Sequence, residues 1–239
     1  MGKPDIIYED NDIIICYKPA GIATQTRRIG QQDMESFIRN YRAAKNEPPY
    51  VGIVHRLDQP VEGGMVFAKN QKAAASLSRQ IKEHTTEKYY RAASRGQGVS
   101  GTDKKEDNHA LTDYISFDKR TNTSKITSEK DRLAKKAVLQ YRVISVTPDR
   151  DGSQNERIRT EFDIKLLTGR HHQIRLQLAH IGYPLIGDTK YRKPASNNSG
   201  MGSKSGRTGG GVREQLALCS YKLVFDHPAT GERMTFELP

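Results

Sequence analysis

The sequence has little of what secreted, membrane-bound or redox proteins are rich in. It contains two cysteines, Cys16 and Cys219, and no tryptophan in 239 residues. Both cysteines lie in apolar segments outside any metal-binding spacing, so we interpret them as free thiols of a reducing compartment. No apolar run reaches the roughly 18 residues of a membrane-spanning helix, and no signal-peptide pattern opens the chain. We therefore expect a cytoplasmic protein that does not bind membranes.

The sequence also lacks the motifs of common cofactors. It has no dinucleotide fingerprint, no phosphate-binding loop and no Gly-x-Ser-x-Gly nucleophile turn. His171, His172 and His180 lie close together, but no pair has the i, i+4 spacing and no acid or cysteine nearby completes a ligand set. We predict that the protein uses no cofactor and no metal.

The sequence has fewer acidic residues than basic ones. The 39 Lys and Arg residues outnumber the 28 Asp and Glu residues, which gives a net charge of +11. Such an excess favours a polyanionic partner, and nucleic acid is the commonest one. A generically basic surface is the alternative, and charge alone does not separate the two.

The pattern of apolar residues predicts many strands and few helices. Helical spacing is present at about 32–45, after Asn70, and around 174–181. Strands are predicted at 6–8, 13–17, 51–54, 65–68, 89–93, 138–146, 157–167, 216–225 and 234–238, with one more between loops in 94–135. Because strands and helices do not alternate regularly, we predict an α+β fold with a largely antiparallel sheet.

No composition shift divides the chain, so we expect a single domain over residues 1–239. Ten of the sixteen residues from 196 to 211 are Gly or Ser. This composition predicts a flexible basic loop at about 194–213. It could touch RNA phosphates, but we favour a tolerated insertion. We expect a monomer.

Three stretches place unusual polar residues at the ends of predicted elements: His55-Arg56-Leu57-Asp58, Lys88-Tyr89-Tyr90, and residues 169–178. Each has a plain structural interpretation. Asp58 could cap a turn, Tyr90 could be a core residue, and Arg175 could form a structural ion pair. Read without further comparison, they indicate an RNA-acting enzyme without a cofactor and leave its reaction open.

Taken in order, these stretches resemble the RluA-type pseudouridine synthase family. Residues 55–58 match its catalytic motif, 88–90 its Lys-x-Tyr motif and 169–175 its Gly-Arg-x-His-Gln-Ile-Arg motif. Further matches are Asp12-x5-Lys18-Pro19-Ala20-Gly21, Gly182-x-Pro184-x-x-Gly187-Asp188-x-x-Tyr191 and Phe225-x-His227-Pro228. The resemblance runs from residue 6 to residue 237. Many members carry an N-terminal S4 domain, which we do not expect here because the pattern starts so early.

The resemblance implies a long, curved, mixed sheet flanked by helices and loops, with a central RNA-binding cleft. It implies isomerisation of uridine to pseudouridine in ribosomal or transfer RNA. Asp58 would be the catalytic acid, Tyr90 would stack on the uracil and could take its C5 proton, and Arg175 would pair with Asp58. The remaining predicted substrate-binding residues are Arg56, which would fill the gap left by the extruded base, and His55, Lys88, Arg170, Ile174 and Leu176.

The implied chemistry accounts for the residue types. The bond from ribose C1′ to uracil N1 breaks and a bond from C1′ to C5 forms, so no electrons enter and no cofactor is needed. Breaking a glycosidic bond calls for an ionised carboxylate near C1′. Arg175 beside Asp58 would lower its pKa and orient it. Whether Asp58 attacks the sugar, attacks the base or removes the C2′ proton stays open.

Two adjacent positions depart from the family. Members commonly carry Thr-Ser-Gly after the acid, where this chain has Val61-Glu62-Gly63. An additional acid is unexpected beside RNA, and it favours the alternative of a catalytically impaired RNA-binding relative. A third alternative, a glycosidase that uses Asp58 with Glu62, is disfavoured because two acids in one turn cannot easily flank a substrate.

Overall fold

The computed structural model describes residues 3–26, 28, 30–95, 107–149, 157–192 and 214–238. The described residues form three helices: α1 (Met34–Ala44), α2 (Gln71–Lys82) and α3 (Gln173–His180). They also form eleven strands: β1 (Asp5–Glu9), β2 (Ile13–Lys18), β3 (Gly52–Ile53), β4 (Glu62–Ala68), β5 (Glu87–Arg95), β6 (His109–Asp118), β7 (Thr123–Thr127), β8 (Lys135–Asp149), β9 (Arg157–Leu166), β10 (Leu218–Asp226) and β11 (Arg233–Glu237).

All of these strands belong to one sheet. Its main path runs β1-β2-β4-β10-β5-β9-β8-β6-β7, with β3 paired to β4 and β11 paired to β10. The β4–β10 pair is parallel, and every other pair among the described strands is antiparallel. The prediction of an α+β fold with a mixed, largely antiparallel sheet is confirmed.

Both faces of the sheet are buried around β2. Ile14 and Cys16 point into one apolar cluster together with Met34 and Ile38 of α1. Ile13 and Ile15 point to the other face, where the cluster includes residues of α2. Because successive side chains of a strand alternate between faces, a continuous apolar run is what a strand covered on both sides requires.

Side-chain caps determine where α1 and α2 begin. Asp33 accepts a hydrogen bond from the Ser36 backbone N–H at 2.7 Å, and Ser36 accepts one from the Asp33 N–H at 3.1 Å. The Asn70 side chain accepts from the Ala73 N–H at 2.8 Å, as the sequence predicts. Each cap satisfies a backbone donor that a helix start leaves without a partner.

Glycine at position 63 lets β4 and β10 lie side by side. Its φ of +132° is strained for any residue with a side chain, and a Cβ there would overlap the backbone of Ser220. The Gly63-Gly64 pair is therefore explained by the close approach of a parallel strand.

The sequence predicts one strand within 94–135, and the structure has the β6–β7 hairpin there. The predicted flexible loop at about 194–213 lies outside the described residues. The single domain over the whole chain stays a prediction. Within the described ranges, no helix has the length and apolar character needed to cross a bilayer.

Candidate active site

A cavity of about 690 Å³ opens where the loop between β3 and β4, the strand β5 and the start of α3 meet. A volume of this size is typical of sites for small molecules or single bases. Its lining includes residues 53–58, Val61, Ile81, Lys82, His84, Lys88, Tyr90, Leu166, 169–175 and Leu218. The structure thus brings together all of the predicted site residues except Leu176. Leu176 follows these residues along α3 and lies outside the lining.

The loop that carries Asp58 is fastened to the segment after β2. Thr24 donates its hydroxyl to the Leu57 carbonyl at 2.9 Å and accepts from the Leu57 N–H at 3.2 Å. The buried Lys18 ammonium donates to the carbonyls of Ile22 and Gln59. These bonds fix the backbone on both sides of Asp58, which places the carboxylate at the cavity wall.

The Asp58 carboxylate faces two nitrogen-bearing side chains. Its Oδ2 lies 3.5 Å from His172 Nε2 and 3.9 Å from Arg175 Nη1. Burial raises the pKa of Asp58, and the positive charge of Arg175 opposes this without reversing it. The expected lowering of the Asp58 pKa by Arg175 is therefore present but smaller than the cost of removing the carboxylate from water.

Arg175 has a stronger partner than Asp58. Its Nε and Nη2 donate to the two carboxylate oxygens of Asp188 at 2.7 and 2.8 Å. The 3.9 Å contact with Asp58 is too long for a hydrogen bond. The predicted pairing of Arg175 with Asp58 is thus a long-range ion pair made by a guanidinium that Asp188 holds in place.

Tyr90 forms a buried wall of the cavity with 6% of its surface exposed. Burial raises the pKa of its phenol far above the usual value, and the negative charge of Asp58 adds to the shift. Tyr90 pairs with Ser220 of the neighbouring strand β10, and the Ser220 side chain opposes the rise in the phenol pKa without reversing it. At neutral pH the resting phenol therefore keeps its proton.

His55 and Lys88 lie next to each other in the cavity lining. His55 Nε2 accepts a hydrogen bond from the Val66 N–H at 3.1 Å, and burial lowers the pKa of His55 to about 3. Burial also lowers the pKa of Lys88. His55 is thus a neutral ring tied to β4, whereas the Lys88 ammonium faces the cavity with no carboxylate bonded to it among the described residues.

Two arginines lie at the edge of the cavity. Arg56 is exposed and donates to the Gln25 side chain at 2.9 Å. Arg170 donates through Nε to the Lys136 carbonyl at 2.9 Å. Both guanidinium groups therefore place positive charge where the cavity meets solvent.

The site contains three residues to which the sequence assigns no role: His172, Asp188 and Tyr191. Asp188 accepts from the backbone N–H groups of Lys190 and Tyr191 as well as from Arg175. The Tyr191 hydroxyl contacts His172 Nδ1 at 2.8 Å. All three belong to stretches that match the family. The motifs therefore indicate these residues, but they do not predict which side chains the residues contact.

A separate polar cluster lies at the turn after β1. Asp10, Asp12 and His227 offer possible ligand atoms within 4.8 Å of one another. Asp10 Oδ1 already accepts from the N–H groups of Asp12 and Ile13, and Asp10 Oδ2 contacts His227 Nε2 at 3.0 Å. We interpret the cluster as a structural contact that links the first turn to the turn that follows β10.

Comparison with known proteins gives a consistent result. The sequence model described as RNA pseudouridylate synthase matches residues 12–180. A Bacillus subtilis protein named "Uncharacterized RNA pseudouridine synthase YhcT" is 32% identical over 240 residues, covering 100% of this chain and 69% of the relative. The "Ribosomal large subunit pseudouridine synthase D" of Vibrio parahaemolyticus is 31% identical, covering 98% of this chain and 66% of the relative. The chain thus spans about two thirds of the length of these relatives.

Among solved structures, the human RNA pseudouridylate synthase domain containing 1 superposes with a TM-score of 0.71 at 21% identity, covering 99% of this chain and 83% of that one. Human RNA pseudouridylate synthase domain containing 4 gives a TM-score of 0.67 at 20% identity, covering 98% of this chain and 88% of that one. These likenesses support the fold. The family match and the 32% identity over the full chain show that this protein belongs to the RNA pseudouridine synthase family.

Proposed function

We propose that the protein is an RNA pseudouridine synthase that isomerises a specific uridine to pseudouridine, with ribosomal RNA as its substrate class. The observation that carries the proposal is the position of the Asp58 carboxylate, opposite Arg175, at the wall of a cavity large enough to admit a base. Several relatives are named ribosomal large subunit pseudouridine synthase D, which supports ribosomal RNA over transfer RNA.

The roles of the site residues follow from their positions. Asp58 is the catalytic acid, ionised when it acts near C1′ of the extruded uridine. Tyr90 and Ile174 are walls against which the detached uracil turns, because apolar and aromatic surfaces hold a base without fixing one orientation. Arg56 replaces the lost stacking partner with its flat guanidinium. Lys88 and Arg170 hold RNA phosphate or uracil oxygen atoms by charge, and His55 supports the loop.

The C5 proton leaves last. A neutral phenol can accept it only while its own proton passes to a neighbour, and Ser220, which pairs with Tyr90 across the sheet, offers a hydroxyl beside it. Water is the other acceptor. In both cases the atoms balance: one C–N bond breaks, one C–C bond forms, and a proton moves from C5 to N1 by way of solvent.

Glu62 has no part in this proposal. Its carboxylate accepts from the Tyr17 hydroxyl at 2.9 Å and from the Gln215 amide at 2.7 Å. Val61 lines the cavity and Glu62 is absent from the lining, as the alternation of a strand requires. The feature that favoured an impaired relative therefore lies away from the proposed substrate.

The same proposal includes a cytoplasmic monomer that needs no metal. The free thiols Cys16 and Cys219 fit a reducing compartment. Size-exclusion chromatography with light scattering tests the monomer, and unchanged turnover after treatment with a chelator tests metal independence.

Tritium release tests the activity. Ribosomal RNA labelled with tritium at uracil C5 should lose tritium with the wild type, and release should fall to background with Asp58→Asn. Asp226→Asn is the matched control, because Asp226 pairs with Arg233 on the surface. Wild-type protein that shifts RNA mobility but releases no tritium would refute the activity. Chemical mapping of pseudouridine in cells lacking the protein then identifies the RNA, and a loss confined to transfer RNA would overturn the substrate class.

A further inference from the structure

A chain of polar contacts leads from the β6–β7 hairpin to the Asp58 carboxylate. The backbone N–H of Ser124 donates to the Tyr191 hydroxyl oxygen at 2.9 Å. The same hydroxyl lies 2.8 Å from His172 Nδ1. The other ring nitrogen of His172, Nε2, lies 3.5 Å from Asp58 Oδ2.

The groups at the two ends of this series of contacts determine which ring nitrogen of His172 carries the proton. An ionised carboxylate only accepts hydrogen bonds, so the nitrogen that faces Asp58 has to be a donor. A neutral imidazole has one N–H, which leaves Nδ1 as an acceptor for the Tyr191 O–H. The Tyr191 oxygen can give that proton while it accepts from Ser124. The contacts are thus mutually consistent with a ring that carries its proton on Nε2.

The ring is also held by its backbone and by stacking. His172 has φ 55°, a left-handed conformation that is uncommon outside glycine, asparagine and aspartate. It precedes α3 without making a side-chain cap, so capping does not explain the conformation. The His171 ring stacks on it at 3.7 Å, and Phe117 packs on His171 at 4.2 Å. Strained backbone of this kind is concentrated at functional sites.

Burial and the positive charge of Arg175 lower the pKa of His172 to about 3. The ring therefore stays neutral beside Asp58. A neutral donor can orient the carboxylate and keep it ionised without pairing as tightly as an arginine would. The 3.5 Å separation is longer than a formed hydrogen bond, and such contacts often tighten when substrate fills a site.

We propose that His172 is a positioning residue for the reaction, which orients Asp58 through its Nε2 proton while Tyr191 holds the ring in that tautomer. The inference rests on the proposed function, because orienting Asp58 matters only if Asp58 acts on RNA. It adds a role for a histidine that contacts the acid more closely than Arg175 does.

Two substitutions at position 172 separate positioning from backbone structure. The glutamine amide reaches roughly where Nε2 lies and can donate to Asp58, whereas the shorter asparagine amide lies near Nδ1 and reaches only Tyr191. Asparagine is, however, the better residue for a left-handed backbone. A purely structural role therefore predicts that His172→Asn is the more active variant, and the proposal predicts the reverse.

Tritium release should be measured for both variants with kcat and KM separated. We expect His172→Gln to keep kcat within roughly 10-fold of wild type and His172→Asn to lose on the order of 100-fold, with KM changed by less than about 3-fold in each. Asparagine that is equal to or better than glutamine would overturn the proposal. An inactive wild type would instead refute the proposed function, so the two failures are distinguishable.

A second measurement reads the tautomer of His172 directly in the wild type. Nitrogen-15 NMR of the histidine rings distinguishes a protonated from a bare ring nitrogen, and the signals that are lost in His172→Gln are those of His172. We expect Nδ1 of His172 to be bare and Nε2 to be protonated in the wild type. We also expect the Nδ1 signal to move in Tyr191→Phe and to stay in the control Tyr221→Phe, whose hydroxyl bonds Asp163 instead. A proton on Nδ1 in the wild type would overturn the proposal.

Discussion

Arg175 forms two short hydrogen bonds with Asp188 and reaches Asp58 only at 3.9 Å. The Asp188 side chain is fully buried and is also bonded to the backbone N–H groups of Lys190 and Tyr191. Because a bidentate pair fixes the plane of the guanidinium, Asp188 determines which arginine nitrogen faces Asp58. The acid at position 188 therefore controls the charge beside the candidate catalytic acid without touching it.

Asp188→Asn should impair both stability and turnover. The amide keeps the shape but removes one acceptor and the negative charge, which leaves Arg175 buried with Asp58 as its remaining carboxylate. Breaking a buried ion pair typically costs about 3–5 kcal/mol. We expect a clearly lower thermal midpoint, and a lower kcat because Arg175 moves onto Asp58 and pairs with it more tightly.

Thermal denaturation and tritium release measure the two effects on the same preparation. Asp226→Asn, which weakens the exposed pair with Arg233, is the control and should change neither quantity appreciably. An Asp188→Asn protein with wild-type midpoint and wild-type kcat would show that the Asp188 pair is dispensable.

Apolar periodicity was sufficient to predict most elements. The helix start at Asn70 is predictable because its side chain accepts a hydrogen bond from the first turn. The strand Ile13–Cys16 is predictable because it is buried on both faces and is therefore continuously apolar. The sequence predicts only one strand where the β6–β7 hairpin has two. The side chains that point outward from this hairpin are polar or charged, and they mask the alternation of apolar residues. The cavity as a whole was predictable only because several motifs were recognised together.

The contacts inside the site were not predictable from sequence. Arg175 belongs to a recognisable motif, but no residue near it in sequence indicates that its Nε and Nη2 groups donate to Asp188. Glu62 follows a cavity-lining residue, and only the strand geometry sends its carboxylate to Tyr17. Side-chain direction depends on register and on neighbours far along the chain, so residue identity at a motif position does not determine it.

Tyr90→Phe should separate the ring of Tyr90 from its hydroxyl. The ring packs in the core, so phenylalanine keeps the packing and removes the phenol that can carry the proton. We expect a thermal midpoint near that of wild type, retained RNA binding, and a fall in tritium release on the order of 100-fold. Tyr90→Leu should lose RNA binding as well. Wild-type release by Tyr90→Phe would assign the C5 proton to water.

Arg56→Ala should reduce turnover and leave stability unchanged. The Arg56 side chain is exposed and donates a hydrogen bond to the Gln25 side chain. We expect a lower kcat/KM for RNA with an unchanged thermal midpoint, because the guanidinium replaces the stacking of the extruded base. Arg39→Ala, at an exposed helix position paired with Glu35, is the matched control. A large drop in the midpoint of Arg56→Ala would indicate a structural role instead.

Glu9 should make stability depend on acid pH. Its carboxylate accepts from Lys45, Lys69 and Tyr41, each at 2.7 Å. Burial by itself raises the pKa of Glu9, but the bonds from Lys45, Lys69 and Tyr41 outweigh it and lower the pKa from 4.5 to about 2. The folded state therefore holds this proton less tightly than the unfolded state, and the stabilisation is fully present above the unfolded pKa and is lost as pH falls through the folded one.

We expect Glu9→Gln to lower the free energy of unfolding by about 2 kcal/mol at pH 7, allowing for solvent screening of the ion pairs. The gap between wild type and variant should shrink below pH 5 and fall to less than about half of its pH 7 value by pH 3. Urea unfolding at a series of pH values measures it. Glu237→Gln, whose partner Lys222 lies on the surface, should differ little from wild type throughout. A Glu9→Gln gap that stays constant from pH 7 to pH 3 would mean that the Glu9 contacts do not favour its charged form.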